Sequence, residues 1–198
     1  MKKNRLEAFS DGVIAIIITI MVLDLRIPHE TNAGALVPVA PVLFNYALSF
    51  VFVGIYWNNH HHLLHVAHEV NGAIMWANLH LLFWLSLIPF VTGWMGENHF
   101  ATLPTAVYGV VMMLAAIAYT ILQWAIIRSQ GKESLLAGAI GRDRKGKFSM
   151  VAYIAAIGLA FVSSWISIAL YVLVAIIWLI PDKRIEGALR RHPQTESE

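Results

Sequence analysis

Residues 5–25 read RLEAFSDGVIAIIITIMVLDL, and this stretch decides the fold. A charged and polar head, Arg5 to Asp11, runs directly into an almost unbroken apolar run. Arg and Asp side chains at the mouth of a hydrophobic helix are costly in lipid and persist only where protein pairs them. The apolar run carries a single hydroxyl, Thr19, with Ile16, Ile20 and Leu23 on or beside its face. Spacings of four and three put positions 16, 20 and 23 on one side of a helix. In a helix so rich in isoleucine some such triad is unavoidable, so spacing alone does not single these three out.

The rest of the chain repeats the apolar theme. Its 198 residues are 58% hydrophobic and 13% charged, with a mean hydropathy of +0.64. Soluble domains carry about 45–50% apolar and about 25% charged residues. The composition therefore describes an all-α integral membrane protein with little room for a soluble domain. Cysteine is absent, which excludes disulfides, thiolate metal sites and cysteine nucleophiles.

A spanning helix needs about 20 apolar residues. Stretches over 6–25, 35–57, 72–91 and 105–127 meet that length, the first only if Ser10 and Asp11 lie at membrane depth inside protein. Residues 58–68, NNHHHLLHVAH, read as an extension of the second stretch into the headgroup region, and residues 93–104 read as a loop. The last apolar region, 148–180, is about 50 Å long as a single helix, too long for one span. Two short spans joined near Ser163 and Ser164 fit it better. The count is then six, in one domain over 1–184, with a polar tail over 185–198. Six spans place the basic residues of the N-terminus, of the 128–147 connection and of the tail on one side, leaving Arg26 on the other. That is a positive-inside pattern with both termini cytoplasmic.

Polar groups within the membrane gather in the first three stretches: Ser10, Asp11, Thr19, Asn45, Ser49, Asn58, Asn59, His60 to His62, Asn78, His80 and Ser86. Such groups face a bundle interior or a water path. The later stretches read as lipid-facing packing. Arg5 and Asp11 stand about a turn and a half apart, so their expected partners lie on other helices. For Asp11 these are Asn58, Asn59 or a histidine. For Arg5 they are carbonyls at a helix C-terminus.

The run Arg5-x-x-x-Phe9-Ser10-Asp11 at the head of the first helix, with six spans and an Asn/His-rich end of the second, resembles the signature of the transmembrane protein 175 family of potassium channels. The resemblance covers nearly the whole chain. It implies a single six-helix repeat of the bacterial type, assembled as a homotetramer in the bacterial inner membrane with the first helices around a central pore. It implies a potassium-permeable channel, K⁺ selective over Na⁺, rather than an enzyme. The constriction would be apolar, with Ile16 as its narrowest ring, Ile20 and Leu23 on successive turns and Thr19 as a hydroxyl layer linked to selectivity. Arg5, Phe9, Ser10 and Asp11 would anchor the pore helix through a network with the second stretch, for which Trp57, Asn59 and His61 are the candidates. The expected partners are further copies of the chain, lipid, K⁺ and other monovalent cations. No cofactor and no nucleic acid is implied.

Two other classes compete. An ion-coupled secondary transporter needs a mid-membrane acid, whereas Asp11 and Asp24 sit at opposite ends of the first stretch. A nonconducting membrane assembly protein is the other. His61, His65 and His68 share a helical face and have metal-ligand chemistry, but membrane metal enzymes need several such boxes, so these histidines read as interfacial and network residues. Asp24 and Glu30, at the outer end, read either as solvated loop charge or as an acidic mouth that concentrates cations.

Overall fold

The computed structural model describes residues 2–25, 27–67, 69–131 and 144–179. Arg26, His68, most of the 128–147 connection, the end of the last apolar stretch and the 185–198 tail lie outside the described residues. The described chain is helical throughout its ordered elements. In order these are α1 (Lys3–Leu23), a 3-10 helix (Ala33–Val39), α2 (Ala40–His65), α3 (Gly72–Ser86), α4 (Ile88–Glu97), α5 (Thr102–Gln130), α6 (Arg144–Leu159) and α7 (Ser164–Leu179).

Four helical segments are long and apolar enough to cross a membrane: 3–23, 33–65, 72–97 and 102–130. The third is one rod broken at Leu87, from which α4 continues. Pro89 sits in the first turn of α4, where its missing N–H costs nothing. The expected loop over 93–104 is therefore corrected. Residues 93–97 are helical, and Pro104 lies within the first turn of α5, leaving only 98–101 as connection. The last apolar region does divide, at residues 160–163. The Ser163 carbonyl receives the Ile166 and Ser167 amides and starts α7 without Gly or Pro.

α1 packs against α2, α3 and α4, while α5 packs against α3, α4, α6 and α7. The expectation that the fourth stretch faces lipid is thus overturned, because α5 is the hub. Met112, Ala115, Ala118, Leu122 and Ile126 of that helix are fully buried. Its small residues bring α7 close, and a Cβ on Gly109 would stand 2.1 Å from the Tyr171 hydroxyl. At one end of the bundle the start of α1 meets the end of α2, and Gln130 of α5 donates to the Val66 carbonyl. Asp24 of α1 lies against Gly93 of α4, and Gly96 of α4 against Val42 of α2, at the other end.

Candidate functional site

α1 has two faces. Leu6, Ser10, Ile14, Ile17 and Met21 recur every three or four residues and are buried against the subunit. Phe9, Ile16, Thr19, Ile20 and Leu23 are exposed, Ile16 by 58% and Leu23 by 79%. Among the described residues nothing covers this second face. The Thr19 hydroxyl donates back to the Ile16 carbonyl at 2.9 Å, with no tertiary partner among the described residues, and its oxygen retains acceptor capacity on that face.

The head of α1 is tied to the end of α2 by a three-rung ladder. Lys3, Glu7 and Asp11 are spaced one helical turn apart, as are Trp57, His61 and His65, and the two rows run antiparallel. Lys3 Nζ donates to the His65 carbonyl at 2.6 Å, His61 Nδ1 lies 2.8 Å from Glu7 Oε1, and Trp57 Nε1 donates to Asp11 Oδ1 at 3.0 Å. The Trp57, His61 and His65 rings stack with centroids 6.4 and 6.3 Å apart. The His61 side chain is 47% exposed and that of Glu7 22%, so this rung stabilises by no more than about 1 kcal/mol.

Beneath the ladder lies a fully buried chain of polar groups whose direction can be read. The Ser10 hydroxyl donates to the Leu6 carbonyl at 2.8 Å, so towards Asn78 its oxygen can only accept. Asn78 Nδ2 therefore donates to Ser10 at 2.9 Å, and Asn78 Oδ1 accepts from His60 Nε2 at 2.7 Å. His60 is thereby fixed as the Nε2–H tautomer, with a bare Nδ1 that is buried without a partner. Ser10, Asn78 and His60 are each 0% exposed and come from α1, α3 and α2, so one chain of bonds seats the first helix on the next two. A second buried chain joins Thr92 of α4 to Ser49 of α2 at 2.7 Å and Ser49 to Tyr108 of α5 at 3.0 Å, while Asn45 donates to the Thr92 carbonyl.

Of the residues expected to anchor α1, Ser10, Asp11, Trp57 and His61 meet as described. Three placements differ, and the first is Phe9, which is exposed on the uncovered face of α1. Asn59 turns its amide to the Ile55 carbonyl of its own helix at 2.8 Å, because its position in α2 faces away from α1. The Arg5 side chain is exposed without a hydrogen bond or ion pair among the described residues, and Lys3, nearer the helix start, reaches the carbonyl at the end of α2 instead. Asn78 and His60 were visible only as polar residues in apolar helices. Their pairing with Ser10 spans up to 68 residues and leaves no local signature.

Asp24 and Glu30 line a cleft at the other end, with Glu97, His29 and His99. Asp24 leans on α4, with its Oδ2 3.3 Å from where a Cβ of Gly93 would stand. Burial there, and then the neighbouring Glu97 carboxylate, raise its pKa above the ordinary aspartate value of 3.8. Glu30 accepts from Asn32 at 3.0 Å. Among the described residues no group of three His, Asp or Glu side chains is placed to hold a metal ion.

The family model described as endosomal/lysosomal potassium channel TMEM175 matches residues 5–89, which contain the Glu7–His61 and Asp11–Trp57 rungs of the ladder and the Ser10–Asn78–His60 chain. A protein from Chryseobacterium sp. (strain P1-3) described as a potassium channel is 54% identical over 192 residues, covering 97% of this chain and 100% of its own length. One from Streptomyces collinus, also described as a potassium channel, is 32% identical over 186 residues, covering 88% of this chain and 90% of its own. The crystal structure of a lysosomal potassium-selective channel TMEM175 homolog from Chamaesiphon minutus superposes with a TM-score of 0.77 at 26% identity, over 91% of this chain and 97% of that one. With a relative of 54% identity matched from end to end, the chain belongs to the TMEM175 family of potassium channels.

Proposed function

We propose that this chain is the subunit of a potassium-permeable channel, K⁺ selective over Na⁺, in which four copies place α1 around a central pore. The observation that carries this reading is the uncovered face of α1: Ile16, Thr19, Ile20 and Leu23 are exposed while the opposite face is buried. Four such faces around an axis make stacked rings of isoleucine and leucine with one layer of hydroxyls, a constriction of the kind that gates by dewetting. The relatives described as potassium channels support the choice of ion. In this reading each subunit crosses the bilayer six times, with α6 and α7 as short spans of about 24 Å. Lys145 and Lys147 extend α6 into the headgroups by snorkelling. Both termini then lie in the cytoplasm of a bacterial cell.

The test is flux through purified protein in liposomes, K⁺ against Na⁺, without a proton gradient. Passive K⁺ flux exceeding Na⁺ flux supports the channel. Uptake that requires a proton gradient supports a carrier, and no flux supports an assembly protein. The chain has no cysteine of its own, so Ile16→Cys is a clean probe. Thiol reagents applied from the water phase should block it and leave a cysteine at buried Ile17 untouched. If Ile16→Cys and Ile16→Asn leave flux, selectivity and thiol accessibility unchanged, the pore assignment fails.

A further inference from the structure

A second site lies away from α1, in a cleft between α2, α5, α6 and α7. Its cavity volume is about 50 Å³, and Phe52, Tyr56, Ala116, Ser149, Tyr153 and Trp178 are among the residues around it. The lining is mainly apolar, yet it carries two phenols without an acceptor. Tyr153 is 2% exposed, and neither its hydroxyl nor that of Tyr56 makes a hydrogen bond among the described residues. A nearly buried phenol left unpaired is a standing cost unless something supplies an acceptor.

The position of the cleft narrows what that acceptor is. Ser149 lies in the second turn of α6 and Tyr153 one turn further on, while Trp178 lies in the last turn of α7, so the cleft sits near one membrane interface. Trp178 donates to the Ser149 hydroxyl at 2.8 Å, and Lys145 Nζ stands 5.9 Å from the centre of the Trp178 ring. Lys147 follows within the same turn of α6 and is exposed. The sequence of chemistry along α6 is thus positive charge, then hydroxyl and indole, then unpaired phenols in an apolar cleft. A glycerophospholipid has the matching order: phosphate, ester carbonyls, acyl chain. Basic sites between membrane helices select anionic headgroups.

We propose that this cleft binds an anionic phospholipid, with an acyl chain segment in the apolar part, ester carbonyls accepting from Tyr153 and Tyr56, and the phosphate beside Lys145 and Lys147. Because α2 forms one wall of the cleft and also carries the ladder that seats α1, the lipid would sit against the helix that positions α1. The site does not depend on what α1 conducts.

The test uses full-length protein in bilayers and the fluorescence of Trp178, taken as the difference between wild type and Trp178→Phe. Lipids brominated on the acyl chain quench indoles they touch. Brominated phosphatidylglycerol should quench the Trp178 signal at about a fivefold lower mole fraction than brominated phosphatidylcholine. Replacing both lysines, Lys145→Gln with Lys147→Gln, should bring the two lipids together. Filling the cleft with Ala116→Phe should cut Trp178 quenching by either lipid and leave quenching of exposed Trp76 and Trp124 unchanged. Equal quenching by the two lipids in wild type overturns the proposal, as does a preference that survives loss of both lysines or Trp178 quenching indifferent to Ala116→Phe. Native mass spectrometry of wild type in a mixture of the two lipids asks the same question without any variant. Selective retention of phosphatidylglycerol supports the site, and equal or no retention overturns it.

Discussion

Asn78→Leu is the substitution that most directly tests how α1 is seated. Asn78 is fully buried and spans the gap between His60 and Ser10. Leucine keeps the branched outline of four side-chain heavy atoms, with a larger volume, but removes both bonds. Ser10 loses little, since its hydroxyl still donates to the Leu6 carbonyl. His60 loses everything: Nδ1 is already without a partner, and Nε2–H would join it in a site closed to water. Hydrogen bonds between membrane helices average about 0.6 kcal/mol. An orphaned buried donor costs about 1–3 kcal/mol, and the complete burial of His60 places this case in that range. For a chain of this size a loss of 1–3 kcal/mol lowers the melting temperature by roughly 2–12 °C. The assay is thermal unfolding of the purified protein followed by tryptophan fluorescence. The sharper result is the double variant. Adding His60→Leu removes the orphaned ring, and replacing both partners by apolar groups can be nearly neutral. His60→Leu with Asn78→Leu should therefore melt higher than Asn78→Leu alone. If the double variant melts lower than either single one, by the sum of the two losses, the reasoning about an unpaired imidazole is wrong.

Further substitutions probe other contacts of the bundle. Gly109→Ala places a methyl 2.1 Å from the Tyr171 hydroxyl and 3.0 Å from Ile157, so it should cost at least about 2 kcal/mol, and Tyr171→Phe should restore part of the loss. Wild-type melting of Gly109→Ala would show that α5 and α7 do not approach this closely. Trp57→Phe and Asp11→Ala should couple in a double-mutant cycle by about 0.5–1.5 kcal/mol, and additive melting shifts would remove the indole–carboxylate bond from the ladder. Asp24→Asn should raise stability at neutral pH, because the raised pKa means that folding works against the ionised carboxylate. The folded state holds this proton more tightly, so the penalty is fully present above the raised pKa. It shrinks as pH falls through that pKa and is gone below 3.8, where both states are protonated. A melting difference that stays constant from pH 7 to below 3.8 would contradict this sign.

What was legible in the sequence was the contrast between polar and apolar. The charged head of α1, the polar end of α2 as far as His65 and the break before Ser164 all announce themselves by a change of composition or by length. The third span was read too short for a definite reason. Pro89, Gly93 and Gly96 look like loop residues, but Pro89 occupies a first turn, and Gly93 and Gly96 are points of close approach to Asp24 and to Val42, whose Cα would stand 3.0 Å from a Cβ on Gly96. A glycine that admits a neighbour and a glycine that ends a helix have the same letter. The role of α5 was misread because a helix apolar all round carries no contrast between a face turned to lipid and a face packed in protein. Asn59 and Arg5 illustrate a finer limit. Helical phase decides which of several adjacent polar residues faces a neighbour, and that phase depends on how two helices are rotated against each other.

The distribution of bonds divides α1 into a hydrogen-bonded head and an apolar remainder. Every side-chain hydrogen bond from α1 to another helix, among the described residues, comes from positions 3 to 11. From Gly12 to Leu23 the described contacts of the helix are apolar, with Ile14, Ile17 and Met21 buried and Val13 and Ile18 packed beside them, and such contacts fix distance but not direction. Apolar packing tolerates small rotations that hydrogen bonds resist, so the segment bearing Ile16, Thr19, Ile20 and Leu23 is the part of α1 best able to turn while its head stays fixed. Substitutions in the head should therefore show first in melting and assembly. Thr19→Val, whose hydroxyl bonds only within its own helix, should leave melting unchanged and alter the ratio of K⁺ to Na⁺ flux. A Thr19→Val protein with altered melting and an unaltered flux ratio would place that residue in packing rather than in the ion path, and with it the exposed face of α1.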